Sequence, residues 1–332
     1  MKVLDVPAAA AAAVSPANCT RCALERSPFA FSRRSSIQHE AACYSPIMSA
    51  SSVIVLDGVR LAARRLPNLV ARSRAVVQRR GIAPRLGILA FADADGRAPH
   101  VAGKVRAGAA AGVEVIVRVV PWAADVDEAR RVLEALVRDD GMDGIFVQFP
   151  YPDAAWAPPL EAMIPAAVDV DVMSPERVTR VLNGAERLPP VTVSAALELI
   201  DAHGVRVAGR RGLVIAEPSE FAAMFRLAFV RCGVQMLPLM RPAETTLHER
   251  LREVTVVIAA AGIPGSVCAN QLAPGTVAID VGYFNPGGRG DIDVDEGIAH
   301  LDAIAPVPGS IGPMTVSCLV ERTILFAERR IA

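Results

Sequence analysis

The sequence contains almost no lysine and carries no net charge. Lys2 and Lys104 are its two lysines, so 33 of the 35 basic residues are arginine, and they balance 35 acidic residues. The charge pattern gives no support to a nucleic-acid partner, because no long basic block occurs. No apolar run reaches the roughly 18 to 20 residues that a membrane span needs. We therefore expect neither a nucleic-acid nor a membrane partner.

Cysteine is also scarce and irregularly spaced. Three of the six cysteines lie in the first 47 residues, and three are scattered through the rest of the chain. This distribution is not a disulfide framework, so we expect a cytoplasmic protein. Cys19 and Cys22 have a spacing found in metal and redox sites, but no second pair follows. We predict no metal site.

The chain is long enough for two domains. It has 332 residues, of which 52% are hydrophobic, enough to bury substantial cores. Residues 1–47 are rich in alanine, poor in acids and without sustained periodicity. We interpret them as a disordered extension or as the product of a mis-assigned start codon, with translation beginning at Met48.

After this segment, apolar runs of strand length alternate with segments of helix length. The predicted strands are 53–56, 86–91, 113–119, 144–148, 212–215, 234–237, 256–259 and 277–281, and the predicted helices are 61–79, 101–111, 126–138, 194–203, 221–232 and 245–253. Such alternation is typical of α/β proteins with parallel sheets and right-handed crossovers. We predict a three-layer α/β domain over 48–189, completed by a C-terminal helix over 315–332, and a doubly wound α/β domain over 190–314.

A stretch near the end of the chain, residues 305–315, is unusually rich in proline and glycine. Proline fixes a backbone dihedral angle, and glycine lets a ligand approach the backbone closely. We expect a stiff loop that forms the wall of a site for a flat ligand, followed by a helix with Thr315 as its N-cap. An ordinary structural turn is the alternative. The prolines and glycines concerned are Pro306, Pro308, Gly309, Gly312 and Pro313.

This stretch closely resembles the C-terminal signature of the bifunctional methylenetetrahydrofolate dehydrogenase and methenyltetrahydrofolate cyclohydrolase family. The family has Pro-Gly-Gly-Val-Gly-Pro-Met-Thr, and residues 308–315 are Pro-Gly-Ser-Ile-Gly-Pro-Met-Thr. The resemblance continues from Leu56 to the C-terminus. It implies a folate-binding catalytic domain followed by a Rossmann-like NAD(P)-binding domain. It also implies that the substrate-binding site is lined by Pro308, Gly309, Gly312 and Pro313.

Lys104 matches the lysine of the family's Tyr-Val-x-x-Lys segment, which is His-Val-Ala-Gly-Lys here. The resemblance implies that Lys104 is the central catalytic group and that His100 takes the place of a substrate-stacking tyrosine. An imidazole there would add a group that titrates near pH 6 to 7. In a chain whose basic residues are almost all arginine, a lysine is informative because only lysine can be tuned to exchange protons near neutral pH. A solvated surface lysine is the alternative.

Two further residues match catalytic positions of the family. Gln148 ends Gly-Ile-Phe-Val-Gln, which resembles the family's Gly-Ile-Leu-Val-Gln, and Asp171 is the second aspartate of Val-Asp-Val-Asp. We expect Gln148 to hydrogen-bond Lys104, or else to cap the following turn. The resemblance implies that Asp171 binds the pterin through paired hydrogen bonds. Val172 replaces the glycine that follows this aspartate in the family.

The phosphate-binding loop departs most from the family pattern. The family has Gly-Arg-Ser after the first strand of its second domain, and this chain has Ala-Glu-Pro. Losing glycine and an amide donor, and gaining a negative charge, disfavours the 2′-phosphate of NADP. We expect weak or altered binding of NADP or NAD, with NAD preferred. The resemblance implies a cofactor site formed by Ala216, Glu217, Pro218, Arg241, Gly262 and Tyr283.

The resemblance implies an enzyme of one-carbon metabolism that carries tetrahydrofolate as its substrate scaffold. Its reactions would be oxidation of 5,10-methylenetetrahydrofolate and hydrolysis of 5,10-methenyltetrahydrofolate to 10-formyltetrahydrofolate. Because the cofactor loop is altered, cyclohydrolase activity is better supported than dehydrogenase activity. A non-catalytic folate-binding relative is the alternative, and the family implies a homodimer.

Overall fold

The computed structural model describes residues 53–92, 100–283, 288–295 and 297–331, so the extension over 1–47 lies outside the described residues. Within these residues, no helix has the length and hydrophobicity to cross a membrane. The strands are β1 (Ile54–Val55), β2 (Arg85–Ala92), β3 (Glu114–Pro121), β4 (Gly144–Val147), β5 (Arg211–Ile215), β6 (Gln235–Met236), β7 (Val256–Ala259), β8 (Val267–Cys268), β9 (Val277–Asp280), β10 (Ile292–Asp293) and β11 (Ala303–Ala305). The helices are α1 (Gly58–Arg80), α2 (Val101–Ala111), α3 (Val126–Val137), α4 (Ala157–Glu161), α5 (Pro175–Leu182), α6 (Val191–Ala202), α7 (Glu220–Arg231), α8 (Leu247–Leu251) and α9 (Ile311–Arg329).

The first sheet is parallel and has the order β3-β2-β4. Its central strand β2 is buried on both faces, which explains its continuous apolar sequence. Leu86, Ile88 and Ala90 pack with residues of α1, α2 and α9. Leu89 and Phe91 belong to the core on the other face, with residues of α3 and α4. The sheet is therefore the middle of three layers, as predicted.

The second sheet has six parallel strands in the order β1-β11-β9-β7-β5-β6. Its edge strand β1 precedes the first sheet in the chain, although the sequence analysis placed residues 48–189 in the first domain. Ile54 lies opposite Ala303, and the backbone amide of Ile54 donates to the carbonyl of Asp302 at 2.9 Å. Two residues are too few to show a pairing preference in the sequence, so this partner was not predicted.

The C-terminal helix α9 packs against α1, α2 and α6 and against strands of the first sheet. It begins at Ile311, so the prediction of an N-cap at Thr315 was wrong. Gly312 and Pro313 lie in its first turn rather than in the loop. Proline is tolerated there because the first-turn amides have no acceptor inside the helix. The helix thus covers the first domain, as predicted, and starts four residues earlier.

Candidate active site

The predicted site residues follow the carboxyl ends of parallel strands. Gln148 follows β4, Ala216 follows β5, and Gly262 and Tyr283 follow β7 and β9. Lys104 lies in the first turn of α2, the helix that follows β2. In open α/β sheets this edge is where ligands bind. The predicted substrate and cofactor residues therefore occupy the edges where a ligand site is expected.

Lys104 is a buried lysine near the start of α2. Only 8% of its surface is exposed, and its Nζ donates to the carbonyl oxygen of His100 at 3.2 Å. The Nζ also lies 5.7 Å from the centre of the Phe146 ring. Burial lowers the pKa of Lys104 to about 8, against the opposing influence of the Asp171 carboxylate. The amine can therefore change protonation state near neutral pH. The burial of Lys104 excludes the alternative of a solvated surface lysine.

Gln148 is fixed by its backbone and leaves one amide atom unpaired. Its backbone amide donates to the carbonyl of Leu89 at 2.8 Å, and its side-chain Nε2 donates to the carbonyl of Phe149 at 2.6 Å. Lys104 bonds His100 instead, so the predicted hydrogen bond between Lys104 and Gln148 is not formed. Among the described residues, Gln148 Oε1 is buried without a hydrogen-bond partner. A buried unpaired acceptor is costly and marks a position for an incoming donor.

Asp171 lies at the start of the turn that leads from the first domain towards α5. Its Oδ1 accepts a hydrogen bond from the backbone amide of Val191, the first residue of α6, at 2.9 Å. Burial raises the pKa of Asp171 to about 6, and the Val191 amide and the charge of Arg322 oppose that rise. The carboxylate is thus close enough to Lys104 to influence it and titrates just below neutral pH.

The turn around Asp171 is held by a second carboxylate and contains a strained residue. Asp169 is fully buried and accepts hydrogen bonds from the amides of Met173 and Ser174 and from the Ser174 hydroxyl. Val172 has φ 58°, a left-handed conformation that is unfavourable for a β-branched residue. Val172 stands where the family has glycine, and its side chain is buried. Packing of Val172 in its own apolar cluster offsets part of the strain.

The proline-rich loop is docked on the N-terminus of α1. The carbonyl of Gly309 accepts from the amides of Gly58 and Val59, each at 3.1 Å, and the Ser310 hydroxyl donates to the carbonyl of Leu56 at 2.5 Å. Gly309 has φ 106°, which glycine adopts readily. These bonds attach Gly309 and Ser310 to the start of α1.

His100 meets Tyr283, a residue predicted for the cofactor side. Their ring centres are 4.9 Å apart and their planes are inclined by 78°. Desolvation of the imidazole and the nearby charge of Lys104 lower the pKa of His100 below its ordinary value. His100 adopts φ 64° before α2, so its backbone is left-handed at the point where Lys104 receives its carbonyl acceptor. A residue predicted for the substrate side thus contacts one predicted for the cofactor side.

The β5–α7 loop carries an ion pair at its surface. The Arg241 Nε lies 3.0 Å from the Glu217 carboxylate, and both side chains are more than half exposed. Ala216 is buried after β5, and Pro218 supplies no amide donor. Ser219 caps α7 by accepting from the amide of Ala222 at 3.2 Å. Arg241, which was predicted for the cofactor site, is thus already paired with an acid.

Two buried aspartates organise the loops around Gly262. Asp291 accepts hydrogen bonds from the consecutive amides of residues 261, 262 and 263 at 2.6 to 3.1 Å. Asp280 accepts from the amides of Gly282, Asp291 and Ile292 at 2.9 to 3.0 Å. Since each carboxylate collects three donors, the loops that contain Gly262 and Tyr283 are fixed relative to β9 and β10.

Two family sequence models match the chain. The model described as "Tetrahydrofolate dehydrogenase/cyclohydrolase, catalytic domain" matches residues 56–171, and "Tetrahydrofolate dehydrogenase/cyclohydrolase, NAD(P)-binding domain" matches residues 190–331. The chain belongs to the tetrahydrofolate dehydrogenase/cyclohydrolase family. It is an enzyme of folate one-carbon metabolism with a catalytic domain and an NAD(P)-binding domain.

Individual relatives agree with this assignment. Bifunctional protein FolD 2 of Frankia casuarinae is 31% identical over 288 residues, which cover 83% of this chain and 96% of that protein. The crystal structure of FolD from Trypanosoma brucei, complexed with NADP cofactor and inhibitor, has a TM-score of 0.76 and 25% identity over 84% of this chain and 98% of that one. The enzyme from Campylobacter jejuni shares the fold, with a TM-score of 0.74 and 24% identity over 84% and 99% of the two chains. Nothing in these matches supports the non-catalytic alternative.

Sequence analysis of this tetrahydrofolate dehydrogenase/cyclohydrolase family member missed several residues that shape the site. Asp169 fixes the turn of Asp171, Asp291 fixes the Gly262 loop, and Arg322 reaches the Asp171 turn from α9. Residues 290–293 are Gly-Asp-Ile-Asp, which resembles the family's Gly-Asp-Val-Asp, and this resemblance was a signal for Asp291. For Arg322 the signal was a charged residue on the apolar face of a helix, and that signal does not identify a partner.

Proposed function

We propose that the site around Lys104 hydrolyses 5,10-methenyltetrahydrofolate to 10-formyltetrahydrofolate. The observation that carries this proposal is the burial of Lys104, which gives its amine a pKa of about 8 within the influence of Asp171. At pH 7 an amine with that pKa is about one-tenth neutral, so both the ammonium and the free amine are available. A general acid–base catalyst needs both forms.

In the proposed reaction, water adds to the cationic carbon that bridges N5 and N10, and neutral Lys104 accepts the proton that the water loses. The hydroxyl of this adduct then releases its proton to solvent as its oxygen forms the formyl C=O, the bond between the carbon and N5 breaks, and N5 receives a proton from the Lys104 ammonium. The carbon remains on N10 as a formyl group. Water is consumed and one proton is released overall, so lysine returns to its starting state.

The other residues have binding roles in this proposal. Asp171 receives the N–H donors of the pterin, which pair naturally with a carboxylate. Gln148 Oε1, which is buried without a partner, accepts from the substrate or from the Lys104 ammonium once the substrate displaces its present contact. Pro308 and Gly309 form the wall of the cleft, while Gly312 and Pro313 support it from the first turn of α9.

The residues at the carboxyl edge of the second sheet would hold the dinucleotide, which would supply the acceptor for a hydride from the methylene carbon of the folate. The residues placed to hold it are Ala216 and Glu217 after β5, Arg241 beside them, Gly262 in the loop clamped by Asp291, and Tyr283. The edge has the Rossmann-like order and a capped helix start at α7, so a dinucleotide fits there.

We propose that NAD binds better than NADP. A 2′-phosphate would have to compete with Glu217 for Arg241, and Glu217 would then remain beside it as an unpaired negative charge. The ribose hydroxyl of NAD can instead donate to Glu217. Pro218 also offers no amide to a phosphate. These features further support a cyclohydrolase activity that exceeds the dehydrogenase activity.

Lys104→Arg tests the catalytic assignment. Arginine keeps the positive charge but does not lose its proton near neutral pH, so we expect hydrolysis of methenyltetrahydrofolate to fall at least about a hundredfold. Absorbance of the methenyl compound measures the rate, and circular dichroism checks the fold. The matched control is Arg106→Lys, another basic residue of α2. Near-normal hydrolysis by a folded Lys104→Arg enzyme would refute the role of Lys104.

Glu217→Gln tests the cofactor preference. Removing the acid frees Arg241 and removes the repulsion, so NADP affinity should rise about tenfold, equivalent to about 1.4 kcal/mol, while NAD affinity does not rise. Calorimetric titration of both dinucleotides measures this. Glu244→Gln is a matched control, because Glu244 accepts from the Arg241 backbone rather than from its guanidinium. Stronger binding of NADP than NAD by the unmodified enzyme would contradict the preference.

We also propose a homodimer, which the family resemblance implies, and a cytoplasmic location, which the irregular spacing of the cysteines favours. Analytical ultracentrifugation of the purified chain tests the dimer, and fractionation of native cells tests the compartment. A monomer at micromolar concentration would contradict the first part of this proposal.

A further inference from the structure

Arg322 is a buried cation on α9 that the catalytic scheme above does not use. Only 5% of its surface is exposed. Its NH1 donates to the carbonyls of Val170 at 3.1 Å and Pro189 at 2.7 Å, and its NH2 donates to the Ser194 hydroxyl at 2.9 Å. Among the described residues, no carboxylate oxygen lies within 4.0 Å of its guanidinium nitrogens. A buried charge without an ion-pair partner is costly, so its position requires an explanation.

The contacts of Arg322 surround Asp171. Val170 is the residue before Asp171, and Pro189 lies two residues before Val191, whose amide donates to the Asp171 carboxylate. Ser194 lies one turn further along α6. A single guanidinium therefore joins the segment that carries Asp171 to the segment that carries its hydrogen-bond donor. Its planar fork can bond several acceptors at once in a fixed geometry, which a lysine ammonium cannot do.

We propose that Arg322 is a positioning residue for Asp171. Its guanidinium fixes the Asp171 carboxylate against α6 and keeps it ionised for the pterin. This inference rests on the proposed role of Asp171 in folate binding. It assigns the C-terminal helix a part in substrate recognition in addition to packing.

The charged groups that act on Asp171 come from several elements. Arg322 on α9 and Lys104 on α2 favour the carboxylate, and Asp169 in the same turn disfavours it. Tyr151, after β4, also lies within electrostatic range of Asp171. Since Arg322 favours the ionised form, removing its charge must raise the pKa of Asp171 from its value of about 6. Less carboxylate would then be present between pH 6 and 7.

The groups around Arg322 itself do not replace it. Arg177 and Glu186 form an ion pair with each other. Arg177 disfavours the charged form of Arg322, whereas Asp171, Cys318 and Glu186 favour it. Asp171 has the largest favourable influence of these groups. Arg322 and Asp171 therefore each favour the charged form of the other.

The experiment compares Arg322→Gln with Arg322→Lys. Besides the decline below pH 8 that belongs to Lys104, the profile of kcat/KM against pH for methenyltetrahydrofolate hydrolysis should have a second acid limb near pH 6 that belongs to Asp171 and disappears in Asp171→Asn. In Arg322→Gln we expect this limb to move up by about one pH unit, a loss of about fivefold at pH 6 and much less at pH 8. In Arg322→Lys the limb should stay in place, while KM rises several-fold with kcat kept, because the fork is lost.

A matched control separates positioning from general destabilisation. Arg80→Gln removes another arginine, which is paired with the fully buried Asp143, and should lower stability without moving the acid limb. An unmoved limb in Arg322→Gln overturns the inference. If that variant does not fold, a wild-type KM in Arg322→Lys overturns it instead. Absence of folate binding by the unmodified enzyme, measured by calorimetry with 5-formyltetrahydrofolate, would mean that the proposed function itself has failed.

Discussion

At the scale of single residues, the site depends on the desolvation of a few ionisable groups. Burial disfavours the charged form of each group, so it lowers the pKa of Lys104 to about 8 and raises the pKa of Asp171 to about 6. Each group opposes the shift of the other through its charge. Two groups with pKa values on either side of neutrality supply a carboxylate for binding and an amine for proton transfer at the same pH.

The histidine beside this pair offers a prediction that does not depend on turnover. The sequence predicted a group titrating near pH 6 to 7 at His100, and the structure places its pKa below 6.5 because of desolvation and the positive charge of Lys104. Lys104→Met removes that charge, so the pKa of His100 should rise. Lys104→Arg keeps the charge and should leave the pKa nearly unchanged.

Nuclear magnetic resonance titration of the histidine ring protons measures both effects. The His100 signal is assigned by its loss in His100→Tyr. An equal midpoint in the Lys104→Met and Lys104→Arg enzymes would show that the two side chains do not interact.

At the scale of elements, the contact between α1 and the proline-rich loop explains why Gly58 is glycine. A Cβ atom built on Gly58 would lie 1.8 Å from the backbone oxygen of Ser310. An alanine there must push the loop away from α1 and break the hydrogen bonds at Gly309. We expect Gly58→Ala to lower the free energy of unfolding by about 1 to 3 kcal/mol, as other overpacked sites do.

Gly103→Ala is the matched control for this change. A Cβ on Gly103, in the first turn of α2, meets no atom within 4 Å, so alanine should leave stability unchanged or raise it by up to about 1 kcal/mol. Urea unfolding of both variants measures the difference. If the two substitutions had equal effects, the loop would not be held against α1 as described.

At the scale of the whole molecule, α9 connects parts of the chain that are far apart in sequence. On its partly exposed side, Glu321 pairs with Arg65 and Arg72 of α1, and Glu328 pairs with Arg72. Arg65 also pairs with Glu198 of α6 at 2.8 Å. Exposed ion pairs contribute little individually, so the apolar side of α9 supplies most of the stabilisation.

Removing α9 should therefore unfold the enzyme. Each of its large buried apolar side chains would lose about 1.5 to 3 kcal/mol of burial free energy. The total matches or exceeds the free energy of unfolding of a typical protein, about 5 to 15 kcal/mol. A chain that ends at Ser310 should show no cooperative thermal transition by circular dichroism. A cooperative transition near that of the full chain would contradict this. The buried apolar residues are Ile311, Met314, Cys318, Leu319, Val320, Ile324, Phe326 and Ala327.

Local patterns in the sequence were sufficient for the architecture and for the identity of the main catalytic candidate. Strand and helix periodicity predicted the three-layer first domain, because the side chains of a buried strand such as β2 and those on the core-facing sides of its flanking helices must be apolar. The rarity of lysine drew attention to Lys104, and the signature at residues 308–315 indicated the family. These signals lie within short stretches, where a residue's type and its neighbours contain the information.

Only the tertiary structure decided which distant groups meet. The pairing of β1 with β11, the bond from Lys104 to the carbonyl of His100 instead of to Gln148, and the reach of Arg322 to Asp171 each join residues that no local pattern connects. The start of α9 at Ile311 has the same origin, because helix ends depend on what surrounds the first turn as much as on capping residues. A sequence fixes which side chains can ionise or bond, whereas their pKa values and partners depend on burial and distance, which arise when the chain folds.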